Sequence, residues 1–387
     1  DARYTLLNVL TQQRQDLGNG DGSAFFYSLD QSGQWQIEAQ LQDEAGNRAT
    51  VTSNVFLIDN TAPSAHLDPQ GDETWHNQPV AVEVSPYDEH SGVKRWRWAL
   101  SVDGGLHYGR CSEWLQAQPA TLTLGENGLN RIKVEVEDFA GNRSVTLSDL
   151  YKIDRLPPQS ERSWIEDEAG TILADGDQVY SNWVNGTARL TVHTGKVEDR
   201  PAVFNSGVQT VQAATSQGEI ALTEQDEIWS APLANDKEGR QTLTLAACDY
   251  ADNCAGLAEL EWRADLHGPA ISWTLTPQDW TNTDVLVRVQ AKDELSGVKH
   301  LSVPQKTGDG PAAQFTVSEN GTYSVSSEDH AGNSTTVAIP VGNIDKQSPW
   351  ALFDPPEAET EEDKIAVLIT PQDDLSGVKR WRYRLTY

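Results

Sequence analysis

Asp138-Phe139-Ala140-Gly141-Asn142, with Ile153-Asp154 and Pro158 downstream, is the stretch from which the fold can be read. Ahead of it, Ile132-Lys133-Val134-Glu135-Val136-Glu137 alternates apolar and polar residues, the period of a half-buried strand. Ala-Gly-Asn between two such strands is a hairpin tip, because Gly and Asn tolerate positive φ. Pro158 cannot extend a central strand and marks a boundary. The unit recurs as Asp43-Glu44-Ala45-Gly46-Asn47 and Asp329-His330-Ala331-Gly332-Asn333, with the variant Asp249-Tyr250-Ala251-Asp252-Asn253. In all four copies a second Asp follows the first by 16 residues: Asp59, Asp154, Asp265 and Asp345. Four residues later comes a proline in every case, Pro63, Pro158, Pro269 and Pro349. Self-similarity at this spacing is the signature of tandem repeats.

Two further markers fill the repeat. Asp-x-x-Ser-Gly-Val runs from Asp88 to Val93, Asp293 to Val298 and Asp373 to Val378. Upstream of the first two lie Trp75 with Asn77 and Trp280 with Asn282, and Trp183 with Asn185 marks the same place in a third repeat. The linker aspartates are 95, 111 and 80 residues apart, the size of a seven-stranded β-sandwich. No stretch has sustained helical periodicity. The expected fold is all-β, a tandem array of immunoglobulin-like β-sandwich domains strung like beads. Trp-x-Asn is placed at the start of strand B, Asp-x-x-Ser-Gly-Val in the B–C loop, and Asp-x-Ala-Gly-Asn at the F–G turn. The expected divisions are 1–59, the C-terminal part of a domain; 60–154; 155–265, with an insertion over about 196–247; 266–345; and 346–387, the N-terminal part of a domain. The two incomplete ends read as an internal stretch of a longer array. The alternative is head-to-tail completion by another copy, a non-closing contact that builds a fibre.

Composition limits the function. The 387 residues carry 58 Asp and Glu against 29 Lys and Arg, a net charge of −29, which repels nucleic acid and anionic membranes and attracts cations. No apolar run approaches a membrane span. Cys248 and Cys254 flank a hairpin tip and are expected to form a disulfide, which implies an oxidising, extracellular compartment. Cys111 is left as a buried free thiol. No phosphate loop, nucleophile elbow or His/Cys constellation appears, so no enzyme is expected.

These motifs resemble bacterial immunoglobulin-like (Big-type) tandem repeats of large surface proteins and adhesins. The likeness rests on Asp138 to Asn142 with Asp154 and Pro158, and on Trp280-x-Asn282 with Asp293 and Ser296-Gly297-Val298. It covers the whole chain, weakly over 196–247. It implies an extracellular, cell-surface stalk or filament. It also allows calcium at the junctions, as some such repeats carry it.

The loops make a metal reading specific. In a sandwich the B–C and F–G loops share the end where the linker arrives. Asp59 should therefore meet Asp88 and Asp138, Asp265 should meet Asp293 and Asp329, and Asp345 should meet Asp373. Glu89, Glu294 and Asp374 are adjacent candidates. Converging carboxylates repel unless a cation lies between them, and hard oxygen ligands suit Ca²⁺. The competing reading is that each Asp only caps its own turn. Counting 13 residues from Trp183 gives Lys196, so the Asp154 junction is expected to be the weakest. Arg95 and Arg97, alternating with Trp96 and Trp98, are either the paired outer face of a strand whose tryptophans fill the core or a patch for an anion or glycan. The expected partners are neighbouring domains of the same longer chain, and after them other copies in a fibre or a host or surface glycan. The rival functions are a carbohydrate- or protein-binding array and an accessory region of a larger secreted enzyme.

Overall fold

The computed structural model describes residues 1–21, 24–176, 178–200, 203–304, 306–354 and 366–386. The described residues contain strands, turns and loops and no helix. The chain forms two compact units: Asp1–Glu161 with Lys196–Gln212 and Ala246–Leu257, and Arg162–Gly195 with Ala213–Leu245 and Ala258–Tyr387.

The first unit opens with an antiparallel sheet in the order Arg14–Gly20, Ala2–Asn8, Gly33–Gln42, Arg48–Thr52. Phe56–Ile58 pairs with the start of the Gly33–Gln42 strand. Residues 64–153 then make a sandwich. One sheet is Ala120–Leu124, Val80–Tyr87 and Ser64–Asp68. The other is built on Gly128–Asp138, flanked by Val93–Ser101 on one side and by Arg143–Leu147 and Tyr151–Ile153 on the other. Alternation drives the packing. Ile132, Val134 and Val136 point inward with Val82, Val84, Leu122 and Leu124 from the facing sheet, around the fully buried Trp96. Trp98 lies against the same core, half-buried.

In the second unit, Ala270–Thr276, Val285–Lys292 and Ala312–Val317 form one sheet of a sandwich. Lys306–Asp309, Val298–Val303, Gly321–Asp329 and Ser334–Val341 form the other. Val285, Val287 and Val289 meet Leu301, Val325 and Ile339 between them. Upstream, Ser163–Asp167 and Leu190–Thr194 centre a six-stranded sheet. The atypical stretch after residue 196 contributes to it: Thr223–Gln225 and Ile228–Leu233 extend that sheet, and Gly218–Ile220 folds back on Ala213–Thr215.

Two sequence expectations need correction. Trp-x-Asn does not begin strand B. Trp75-His76 is a separate two-residue strand, parallel to Lys152-Ile153, that precedes Val80–Tyr87. Trp183-Val184 pairs in parallel with Arg263-Ala264, and Thr281 bridges Ile344 in parallel. The residue after each Trp then accepts the amide of the following linker Asp: Asp154 to His76 at 2.9 Å, Asp265 to Val184 at 2.9 Å and Asp345 to Thr281 at 2.8 Å. The motif is a clasp on the departing linker. Two-residue parallel pairing leaves no periodic signal, which is why spacing alone misplaced it.

The second concerns Lys379-Arg380-Trp381-Arg382-Tyr383, which nearly copies Lys94-Arg95-Trp96-Arg97-Trp98 and by that likeness reads as another such strand. It forms no strand, and Trp381 is 56% exposed where Trp96 is 0%. The Trp96 strand is held by eight register partners along Gly128–Asp138. Among the described residues no strand pairs with 379–383; the 346–386 segment forms only the hairpin Trp350–Asp354 with Leu368–Gln372. Strand pairing is non-local, so near-identical pentapeptides take different states.

Candidate metal centres

Each centre is built from three pieces of backbone. The linker Asp ends a clasped segment and folds into an Asx turn, with Oδ1 accepting the amide two residues on: Thr61 to Asp59 at 2.9 Å, Leu156 to Asp154 at 3.2 Å, His267 to Asp265 at 3.3 Å and Gln347 to Asp345 at 3.0 Å. Its Oδ2 accepts the serine amide of Ser-Gly-Val: Ser91 at 3.0 Å, Ser296 at 2.9 Å and Ser376 at 3.1 Å. The B–C Asp accepts the glycine amide of the same motif, Gly92 to Asp88 and Gly297 to Asp293 at 2.6 Å and Gly377 to Asp373 at 2.7 Å. These glycines hold φ between 80° and 82°, which is the backbone reason for Gly at this place. The F–G Asp takes both donors of the closing Asn, whose amide and Nδ2 lie at 2.8 Å in each of Asp138–Asn142, Asp249–Asn253 and Asp329–Asn333. The same Nδ2 reaches the carbonyl of the linker Asp at 3.0, 2.9 and 2.8 Å. The closing Asn thus ties the F–G turn to the incoming linker.

Turn capping is therefore real, and it does not compete with convergence. Capping fixes the carboxylates, and it holds one oxygen of each close to the others. Asp59, Asp88 and Asp138 offer oxygens all within 4.8 Å of one another, as do Asp265, Asp293 and Asp329. Both triads were expected from sequence. The Oδ2 of Asp88 is shut off from solvent and has no hydrogen-bond partner. A dehydrated, unpaired carboxylate oxygen facing two other carboxylates is costly without a cation. Hydrogen bonds hold Asp59 below the usual carboxylate range although burial opposes them; donors from Ser91 and Thr61 outweigh that opposition. Asp345 and Asp373 are tied to one loop through Ser376 and Gly377, as expected, and no third carboxylate joins them among the described residues. Glu89, Glu294 and Asp374 are exposed and outside every triad, with Glu294 paired to Lys292.

The Asp154 junction overturns the expectation that it is the weak one. Lys196 turns away to Glu198 at 2.9 Å. Asp199 takes the vacant place and forms a third triad with Asp154 and Asp249, and all three are buried. The wiring is that of the other two. Ser206 donates its amide to Asp154 at 2.7 Å, and Gly207, at φ 86°, donates to Asp199 at 2.6 Å. Ser206-Gly207-Val208 is the missing Ser-Gly-Val, carried downstream of its Asp by a longer loop. That tripeptide was the signal; fixed-distance counting passed over it.

Burial pushes the Asp199 carboxyl up to about 6; the Gly207 amide opposes this and Asp154 adds to it. The folded chain then holds a proton there that the unfolded chain, at 3.8, has released. Metal-free stability should fall as pH rises from about 4 to about 6. Thermal melts across that range in chelator check this. Glu137 should work in the opposite direction. Arg95 and Lys94 hydrogen bonds, with Arg143 nearby, hold it down at about 2, so its contribution is present above the ordinary carboxylate pKa and is lost on acidification towards pH 2.

Cys248 and Cys254 form the expected disulfide across the F–G turn that carries Asp249. Cys111 is free, and half-buried rather than buried. Replacing Cys248 and Cys254 by Ser should cost about 2 kcal/mol, the value for so short a loop, measurable by denaturant unfolding. Arg95 and Arg97 stand at 4.4 and 4.5 Å from the ring centroid of Trp114 and pair with Glu137 and Glu135. Both guanidiniums are thus occupied within the sandwich, in line with the paired-face reading.

No family model and no curated protein matches this chain. Solved structures with similar folds include the ICAM-5 D1–D4 ectodomain fragment, at 12% identity and TM-score 0.39, covering 80% of this chain and 82% of that one. Clostridium thermocellum CbhA fibronectin(III)-like modules match at 12% identity and TM-score 0.23, covering 52% of this chain and 94% of theirs. Dimeric latent PorU from Porphyromonas gingivalis matches at 10% identity and TM-score 0.21 over 74% of this chain. The chain spans about a third of the PorU length, 35%.

Proposed function

We propose that this chain is a stalk segment of an extracellular repeat array, with calcium bound in the aspartate triads so that each linker is fixed to the domain it enters. The recurrence of one hydrogen-bonded triad at three successive linkers carries the reading. A linker Asp, a B–C Asp and an F–G Asp come from three separate segments, so an ion shared among them resists bending at the linker. Repeats that contact only their neighbours make length the natural output of such a chain. The Cys248–Cys254 disulfide supports an oxidising compartment.

Small-angle scattering of the full chain in 2 mM calcium and in excess chelator tests it. An extended, narrow distance distribution with calcium that shortens and broadens in chelator is the expected result. Superimposable profiles would remove the stiffening role.

A further inference from the structure

A second surface, away from the aspartate triads, has the chemistry of a ligand site. The outer face of the sheet Ala270–Thr276, Val285–Lys292, Ala312–Val317 is hollowed into a trough of about 660 Å³. That is within the range of small-ligand sites. Two cross-strand rows make its floor. Ser272, Gln290 and Ala312 lie in register, and Thr274, Arg288 and Gln314 in the next register. Small residues at three of these six places leave the depression, and the long amides and the guanidinium rise from it. Lys306 borders the trough.

The charge is the unusual feature. The chain has two acidic residues for every basic one, yet no carboxylate lines this trough. Among the described residues neither Arg288 nor Lys306 has a carboxylate within ion-pair distance. Arg288 makes one long hydrogen bond, 3.4 Å to the hydroxyl of Thr276. Four of its five donors are left for a ligand. On the 64–153 sandwich, by contrast, Arg95 and Arg97 are met by Glu137 and Glu135.

We propose that this trough binds an acidic oligosaccharide. Arg288 takes a carboxylate of the ligand in bidentate fashion, and Lys306 adds a second positive charge. Gln290, Gln314, Ser272 and Thr274 supply the donors and acceptors that hydroxyl-rich sugars need. The anionic requirement comes from charge complementarity, and the sugar requirement from the density of amides and hydroxyls on the floor. This inference is independent of calcium in the triads.

The test is calorimetric titration of the full chain with hyaluronan tetrasaccharide, chitotetraose as the neutral counterpart, and tetraglutamate as an acidic peptide. Binding of the hyaluronan fragment in the micromolar to millimolar range, at least tenfold weaker in Arg288→Gln and in Gln314→Ala, and at least tenfold weaker for the other two probes, is expected. Arg288 is exposed, so Arg288→Gln keeps the fold; unchanged thermal melts verify it. No hyaluronan binding at 10 mM, equal binding by Arg288→Gln, or tighter binding of tetraglutamate or chitotetraose would each overturn the proposal.

Discussion

Trp96→Ala should unfold the residue 64–153 sandwich at least 10 °C earlier than the parent chain. The ring is fully buried between two sheets, with Ile132, Val134 and Val136 on its own sheet and Leu122 and Leu124 facing it. Its indole N–H donates to the Gln118 carbonyl at 3.2 Å, and its backbone exchanges two hydrogen bonds with Leu115. Truncation leaves a cavity that paired sheets cannot close, and that carbonyl loses its donor. Such replacements cost about 3–5 kcal/mol, and each kcal/mol moves the midpoint of a domain this size by roughly 4–8 °C. Trp381→Ala is the internal control. The near-identical pentapeptide there is exposed, so the change should be within about 0.5 kcal/mol. Differential scanning calorimetry separates the two cases. A large loss for Trp381→Ala and none for Trp96→Ala would reverse the assignment of the core.

The second large effect is calcium itself. A ligand that binds only the folded state stabilises it by about 2.7 kcal/mol at a hundred times its Kd. Excess chelator should therefore lower the midpoint of a triad-bearing domain by roughly 10 °C or more. The buried triad gives a sharper reading, because one substitution should act with opposite signs. Asp199→Asn keeps the side-chain shape and can still accept the Gly207 amide. It removes a carboxylate whose proton affinity is raised by burial and by Asp154. Metal-free, the variant should melt above the parent, since a buried like-charge contact is gone. In 2 mM calcium it should melt below, since a ligand is gone. Turn capping alone predicts no calcium dependence in either protein.

What could be read from the sequence follows the range of the interactions. Alternation in Ile132–Glu137 is local and identifies its strand correctly. Fixed loop lengths brought Asp59 to Asp88 and Asp138, and Asp265 to Asp293 and Asp329, because B–C and F–G loops share one end of a sandwich. Asp199 was hidden by a longer loop between it and Ser206-Gly207-Val208. The Trp75 clasp was hidden because a two-residue parallel bridge has no period. The state of Trp381 depends on a partner strand far along the chain, or on its absence among the described residues. The Trp114 ring over Arg95 and Arg97 comes from an irregular stretch, Leu106 to Pro119, for which no pattern rule exists. Local order was legible, and the missing parts were settled by tertiary contacts.

Equilibrium calcium binding to the full chain, with isotopic calcium across a dialysis membrane, tests the metal-centre claim most directly. The account predicts at least three sites per chain occupied at millimolar calcium, falling by one in Asp249→Asn and by one in Asp329→Asn. No specific binding at that concentration, or binding unchanged in both variants, would contradict it.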